Sequence, residues 1–380
     1  MTDPMTSLRT LVSDGAAAVT TAEIVWVALP LHRPHMAAHG TETGREVVLV
    51  GVVDSDGLWG WGECSALSSP TYTDEFTSGA FDVLAGSLVP ALMAGQRWAD
   101  PGHPMASAAV EAAVVDLALR RSGRNLATTL GATTDRVGRC AVITGADTVP
   151  DVLAMVAAAV DGGAVMVKLK VAPGWNPGLL AAVAASWPDL PVAVDANGSL
   201  ADDAQLLAAL DRHGVSYIEQ PAPAGADELQ QTVTAGLSVP VALDESVTTA
   251  AVLDDLLARG AATVVNIKPS RVGGLLAALE CVEVAREHNA TVFVGGMLET
   301  GIGRATAAAL AATIASDPGV ASLPTDLGPS DQYFATDITD AVVVDDDGQL
   351  VVPGGPGIGR VPHPDRLDEC CVRRTTVGGR

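Results

Sequence analysis

Five charged residues close five consecutive apolar runs of this chain: Lys170, Asp195, Glu219, Asp244 and Lys268, at intervals of 25, 24, 25 and 24 residues. Each run is short and rich in β-branched residues, and an Ala/Leu-rich stretch of helical period follows each one. The full alternation gives strands at Cys140–Thr144, Val165–Lys170, Val192–Asp195, Ser216–Glu219, Val239–Asp244, Thr263–Lys268, Thr291–Gly295 and Val320–Leu323, with seven helices between them. That pattern predicts an α/β fold, a modified (β/α)8 barrel of TIM type with its last helix short or displaced. The interval equals one βα unit of this barrel. All five charged groups therefore fall at one level on the C-terminal rim, where barrels of this type keep their chemistry.

The barrel is expected over residues 138–328, and a different rhythm precedes it. Residues 1–21 are polar, small and aperiodic, and read as a disordered extension. β-branched residues dominate from Ile24 to Pro30 and from Arg45 to Val53, and a turn at Asp54–Gly57 leads into Leu58–Glu63, which makes a β-meander. The Leu31–Gly44 segment between the first two runs carries His32, His35 and His39 at a spacing that fits no helix face, so a loop is expected there. From Asp74 to Leu130 the apolar period shifts to that of a helix, giving an α+β domain over residues 22–137. The tail, residues 329–380, returns to β-like and Pro/Gly-rich sequence and is expected to pack back on that first domain.

Composition narrows the chemistry. Lysine occurs three times in the chain, at 168, 170 and 268, and arginine fills every other basic role. A buried lysine can lose its proton and act as a base, which a guanidinium cannot. The net charge of −23 argues against nucleic acid, since no basic stripe exists to neutralise phosphates. No run of about 20 apolar residues suggests a membrane span, and no signal peptide is evident. Five cysteines without C-x-x-C spacing argue against a zinc site or a disulfide framework. There is neither a Gly-Lys dipeptide for a P-loop nor a G-x-S-x-G elbow. A cytoplasmic homo-oligomer with no nucleic-acid or membrane partner is expected.

Asp195, Glu219 and Asp244 end adjacent strands roughly 5 Å apart, so their carboxylates converge and repel one another unless a cation sits among them. Oxygen ligands with open positions suit Mg²⁺, with Mn²⁺ as a substitute, and the lack of His or Cys argues against zinc. Capping of the following helices is the alternative use of these acids. Lys170 and Lys268 end the second and sixth strands, which are opposite in an eight-strand ring. Lys168 shares the inward face with Lys170 by strand alternation, and its charge is expected to lower the proton affinity of Lys170. Arg271 stands three residues past Lys268, either to lower that lysine's proton affinity or to make a surface ion pair. The set suits removal of a proton next to a carboxylate, the cation stabilising the resulting enediolate. A barrel that binds an acidic metabolite without turnover is the non-enzymatic alternative.

The runs Lys168-Leu-Lys170, Asp195-Ala-Asn197, Ile218-Glu-Gln-Pro221, Leu243-Asp-Glu-Ser246, Asn266-Ile-Lys-Pro-Ser-Arg-Val-Gly-Gly274 and Gly295-Gly-Met-Leu-Glu-Thr-Gly-Ile-Gly303 together resemble the enolase superfamily. Within it they are most similar to the o-succinylbenzoate synthase and N-succinylamino acid racemase branch of the muconate-lactonizing subgroup. The resemblance covers residues 24 to 368. It implies a capping domain over the barrel, Mg²⁺ on Asp195, Glu219 and Asp244, and acid/base lysines at 170 and 268. It also implies that the Leu31–Gly44 and Ser65–Tyr72 loops close over a substrate, with Gly295, Gly296, Met297 and Glu299 lining its pocket. Asn197, Tyr72 and Arg271 complete the expected substrate contacts. The activity implied is o-succinylbenzoate synthesis, a dehydration in menaquinone biosynthesis, with N-succinylamino or N-acylamino acid racemisation as companion; a dipeptide epimerase or cycloisomerase is the alternative. Two departures touch the expected pocket: Gly198-Ser199 stands where the subgroup has an aromatic residue, and Ile143 where a small polar residue is usual.

Overall fold

The structure, a computed structural model, describes residues 3–37 and 40–378. Seven parallel strands, Cys140–Ile143, Met166–Lys170, Val192–Asp195, Ile218–Glu219, Val241–Leu243, Val264–Ile267 and Thr291–Val294, lie side by side in chain order. Helices such as Val149–Asp161, Ala204–His213 and Leu275–Glu287 connect them. The eighth expected strand is reduced to bridges from Ser322 to Val292 and from Thr325 to Arg139, which join the last strand to the first. Hydrogen bonds from Cys140 N to Thr325 O (2.7 Å) and from Leu323 N to Val292 O (2.9 Å) close the ring.

Period-two alternation decides what fills the ring. Its floor is a buried apolar layer of Cys140, Met166, Ala193, Tyr217, Ala242, Val264 and Phe293, with the Tyr217 and Phe293 rings stacked at 5.5 Å. Two residues further along the strands the inward positions become Lys168, Asp195 and Glu219, so a charged layer rests on a dry one. The outward residues, among them Val167, Val194 and Leu169, pack against the helices.

A four-stranded antiparallel sheet forms the other unit: β1 (Thr21–Ala37), β2 (Gly40–Val53), β3 (Trp59–Cys64) and, at its edge beside β1, the C-terminal strand Cys371–Gly378. Helix Pro104–Arg121 packs across β3 so closely that Gly60 and Gly62 have no space for a Cβ, which would stand 2.4 and 2.0 Å from the helix backbone. Apolar residues line both sides of this contact, and almost the whole of that helix is buried.

Two expectations about this unit change. Residues 4–18 form a helix, Pro4–Ala18, with Asp3 as its N-cap, and are not disordered. Leu8 and Leu11 are buried by it, and its Gly15 lies directly on the Val114 carbonyl. Leu8 and Leu11 are its only large buried side chains, with Met5, Val12 and Ala16 partly buried beside them, so the stripe is built largely of small residues and is weak in the sequence. Within the described residues the Leu31–Gly44 segment is not a loop: β1 runs on to Ala37 and β2 starts at Gly40, with His35 opposite Glu42 and Ala37 opposite Gly40. His39 lies outside the described residues. No helix of the described residues is long and apolar enough to cross a membrane.

Candidate active site

Lys170 and Asp195 are register partners, as are Asp195 and Glu219, so these three side chains share one row across neighbouring strands. Glu219 is opposite Ala242, and Leu243 is opposite Val265. Asp244 therefore stands two residues beyond that row, and Lys268 two beyond the position that faces Asp244. This stagger is the shear of a closed barrel, which holds a level layer around the axis by climbing along successive strands.

The charged layer is tightly paired. Lys168, 1% exposed, donates to Glu219 (2.7 Å) and Asp326 (2.6 Å) and lies over the Phe293 ring. Lys170 donates to Asp195 (2.6 Å) and to Asn197 Oδ1 (2.8 Å). Lys268 donates to Asp244 (2.9 Å) and to the Tyr72 hydroxyl (3.0 Å), and Arg271 pairs with Asp244 and donates to the same hydroxyl (2.8 Å). Backbone and amide groups fix the acids: Gln220 Oε1 accepts from Asp244 N at 2.9 Å, and Asn266 Nδ2 donates to Glu219 at 2.8 Å.

Burial dominates the electrostatics. It pushes the Glu219 carboxyl up to about 8, with Lys168 opposing and the charges of Asp195 and Asp244 adding to the rise. Burial acts the same way on Asp244, but Lys268 and Arg271 overcome it and hold that carboxyl well below the usual range. The neighbours of Lys168 do the converse. Burial pulls its ammonium down, Asp326 and Glu219 outweigh that pull, and the net effect is a strongly raised affinity that keeps it charged. Lys268 is raised likewise, because Asp244 and Tyr72 outweigh burial; Arg271 lowers it as the sequence suggests, without deciding the sign.

A cavity opens over this layer. Its wall includes Lys168, Lys170, Asp195, Asn197, Glu219, Lys268, Tyr72, Gly296 and Met297. Four expected residues are not in that wall. Asp244 is 1% exposed beneath Lys268, Arg271 and Tyr72. Arg271 is buried behind it, with Nε donating to Val247 O and Nη2 to Asn266 O. Gly295 packs against the Asn266 amide. Glu299 pairs with Arg304 at 3.0 Å and lines a separate, smaller cavity with Glu63 and Gly303. Ile143 faces the helices; Val142, register partner of Lys168, takes the inward place. Gly198 has φ +78 and little space beside Pro223, so a larger residue does not fit there in this backbone.

Asp326, Arg304, Tyr333, Leu67 and Leu298 also line the cavity and were not expected. Asp326 lies 58 residues past Lys268, off the 24–25-residue step, and like Tyr333 and Leu298 it carries no periodic signal in the sequence. Asn197 (φ +42), Gln220 (φ +41) and Leu298 (φ +55) are left-handed non-glycine residues at this rim, a conformation that persists where surroundings impose it.

Among the described residues no group of three or more His, Cys, Asp or Glu stands close enough to hold an ion as arranged here, each acid being turned onto a lysine. The donor set still fits a hard divalent cation. Asp195, Glu219 and Asp244 are buried oxygen donors at adjacent strand ends, and their mutual repulsion acts on Glu219 in addition to its burial.

Comparison with known proteins agrees with this architecture. Residues 19–131 match the mandelate racemase / muconate lactonizing enzyme N-terminal domain, and residues 151–366 match the enolase C-terminal domain-like family. The chain is 39% identical to an N-succinylamino acid racemase of Amycolatopsis sp over 373 residues, 94% of this chain and 98% of that protein. It is 33% identical to the o-succinylbenzoate synthase of Bacillus subtilis (strain 168), over 88% of this chain and 91% of the relative. A solved enolase-superfamily structure from Listeria innocua superposes with a TM-score of 0.87 at 29% identity, covering 95% of this chain and 99% of that one. The chain belongs to the enolase superfamily, with the N- and C-terminal domains of its mandelate racemase and muconate-lactonizing enzymes.

Proposed function

We propose that this protein removes a proton from the carbon next to a substrate carboxylate, acting as an o-succinylbenzoate synthase with N-succinylamino acid racemisation as a companion activity. The observation that supports this reading is the placement of Lys170 and Lys268 in the wall of one cavity, from the second and sixth strands of a closed eight-position ring. A substrate between them presents one face to each.

In the proton-transfer step the lysine on the side of the α-proton takes it in its neutral form, for which Lys268 must first give up the proton that Asp244 and Tyr72 hold on it, and the C–H electron pair moves into the carboxylate to give an enediolate. Return of a proton by the opposite lysine inverts the centre, which is racemisation. Loss of the neighbouring C–O bond from the first face, with the hydroxyl collecting the same lysine's proton as water, is dehydration. Lys168, held charged between Glu219 and Asp326, supplies fixed positive charge beside the developing dianion. Asn197 and Tyr72 orient the two lysines through the hydrogen bonds described above. A divalent ion on Asp195, Glu219 and Asp244 would add Lewis-acid stabilisation of that dianion.

The test is kcat/KM for the cyclohexadiene precursor of o-succinylbenzoate and for N-succinylamino acids, together with deuterium wash-in at the α-carbon in D₂O. Turnover of both classes is expected. Turnover of a different carboxylate and of neither of these overturns the substrate assignment.

A further inference from the structure

Arg45 enters none of the chemistry above, yet it is a large side chain with only 1% exposure. From β2 its guanidinium donates to backbone carbonyls of two separate loops. Nε donates to Leu298 O at 3.2 Å, in the loop after the seventh barrel strand. Nη1 donates to Ala66 O at 2.9 Å and to Glu46 O at 2.9 Å, and Nη2 to Ser65 O. Ser65 and Ala66 open the segment that leads from β3 to Tyr72. These carbonyls belong to or adjoin apolar residues of the cavity wall: Leu67 on one loop, Met297 and Leu298 on the other.

A planar guanidinium suits this task. It presents a rigid fork of five donors, whereas a lysine ammonium offers three donors at a single point. A buried cation is tolerated only when hydrogen-bonded, so the carbonyls and the guanidinium hold one another in place. Leu298 adds a constraint, because its φ of +55 is disfavoured for a side-chain-bearing residue and needs support from its surroundings. The Arg45 bond to its carbonyl supplies part of that support.

We propose that Arg45 is a positioning residue that sets the spacing between the Ser65–Tyr72 and Gly295–Glu299 loops, and thereby selects which apolar substrate side chains fit against Leu67, Met297 and Leu298. The loop coupling stands on geometry alone; the selectivity rests on the function proposed above. In the full-length protein, Arg45→Met and Arg45→Lys are compared with wild type by hydrogen exchange and by kinetics on N-succinyl derivatives of alanine, methionine and phenylalanine. In Arg45→Met both loops are expected to exchange at least tenfold faster together, with exchange in the barrel strands unchanged. KM for the methionine and phenylalanine derivatives is expected to change at least tenfold relative to alanine, with kcat within about threefold, and Arg45→Lys to recover part of both effects. Wild-type exchange in the two loops, or an equal KM change for all three substrates, overturns the proposal. If Arg45→Met does not fold, the same readouts on Arg45→Lys decide it. If the wild-type enzyme turns over none of these substrates, the proposed function and the selectivity both fail, while the exchange experiment still decides the loop coupling.

Discussion

Glu111 Oε1 accepts the backbone N–H of Leu275 at 2.5 Å and that of Leu276 at 3.2 Å, so a carboxylate from the N-terminal domain caps a helix of the barrel. Glu63 does the same for the next helix, accepting from Thr300 Oγ1 at 2.6 Å and from Gly303 N at 3.0 Å. Each acid satisfies orphan N–H groups at a helix start while it joins the two units.

The Glu111 cap makes stability pH-dependent. Burial raises its carboxyl from about 4.5 to about 7, with the Leu276 and Leu275 N–H groups opposing. The folded state therefore binds more protons than the unfolded state between those values. The contribution is complete below the lower value and lost as pH rises through the upper one. Glu111→Gln keeps the acceptor and removes the titration, so relative to wild type it should gain on the order of 2 kcal/mol between pH 5 and pH 8. Urea unfolding at the two pH values checks this, and parallel pH profiles would refute it.

The helix Pro4–Ala18 should be integral to the fold. Leu8→Ala is expected to cost about 2–4 kcal/mol, since the side chain is fully buried. Gly15→Ala should cost at least as much, because its Cβ would stand 1.9 Å from the Val114 carbonyl oxygen. Thermal melts of both variants measure it; changes under about 0.5 kcal/mol, typical of surface sites, would show the helix to be undocked.

Chelation should abolish turnover, and Mg²⁺ or Mn²⁺ should restore it. Asp244→Asn is expected to weaken Mg²⁺ binding more than tenfold by calorimetry, with the fold retained. Full activity in excess EDTA would remove the metal from the scheme.

Lys170→Ala and Lys268→Ala should each lose α-proton exchange for one enantiomer of an N-succinylamino acid before the other if, as proposed, the two lysines serve opposite faces of the substrate. The arginine variants should be as inactive as the alanine ones, a guanidinium being unable to give up its proton. Retained dehydration in Lys268→Arg would assign that residue a purely electrostatic part.

The sequence by itself determined the α/β class and the inward positions of Lys168, Lys170, Asp195 and Glu219. Local patterning carries that information: strand alternation fixes the face of each side chain, and the repeat length fixes its height on the barrel. Tertiary structure decided the rest. Ring closure through Ser322 and Thr325 set Asp326 against Lys168. The stagger of neighbouring strands put Asp244 beneath Lys268. Docking of the N-terminal unit made Arg45, Glu63 and Glu111 meaningful, because most of their partners lie 20 to 253 residues away. Contacts at such separations leave no periodic trace in a sequence; they exist only once the chain has closed on itself.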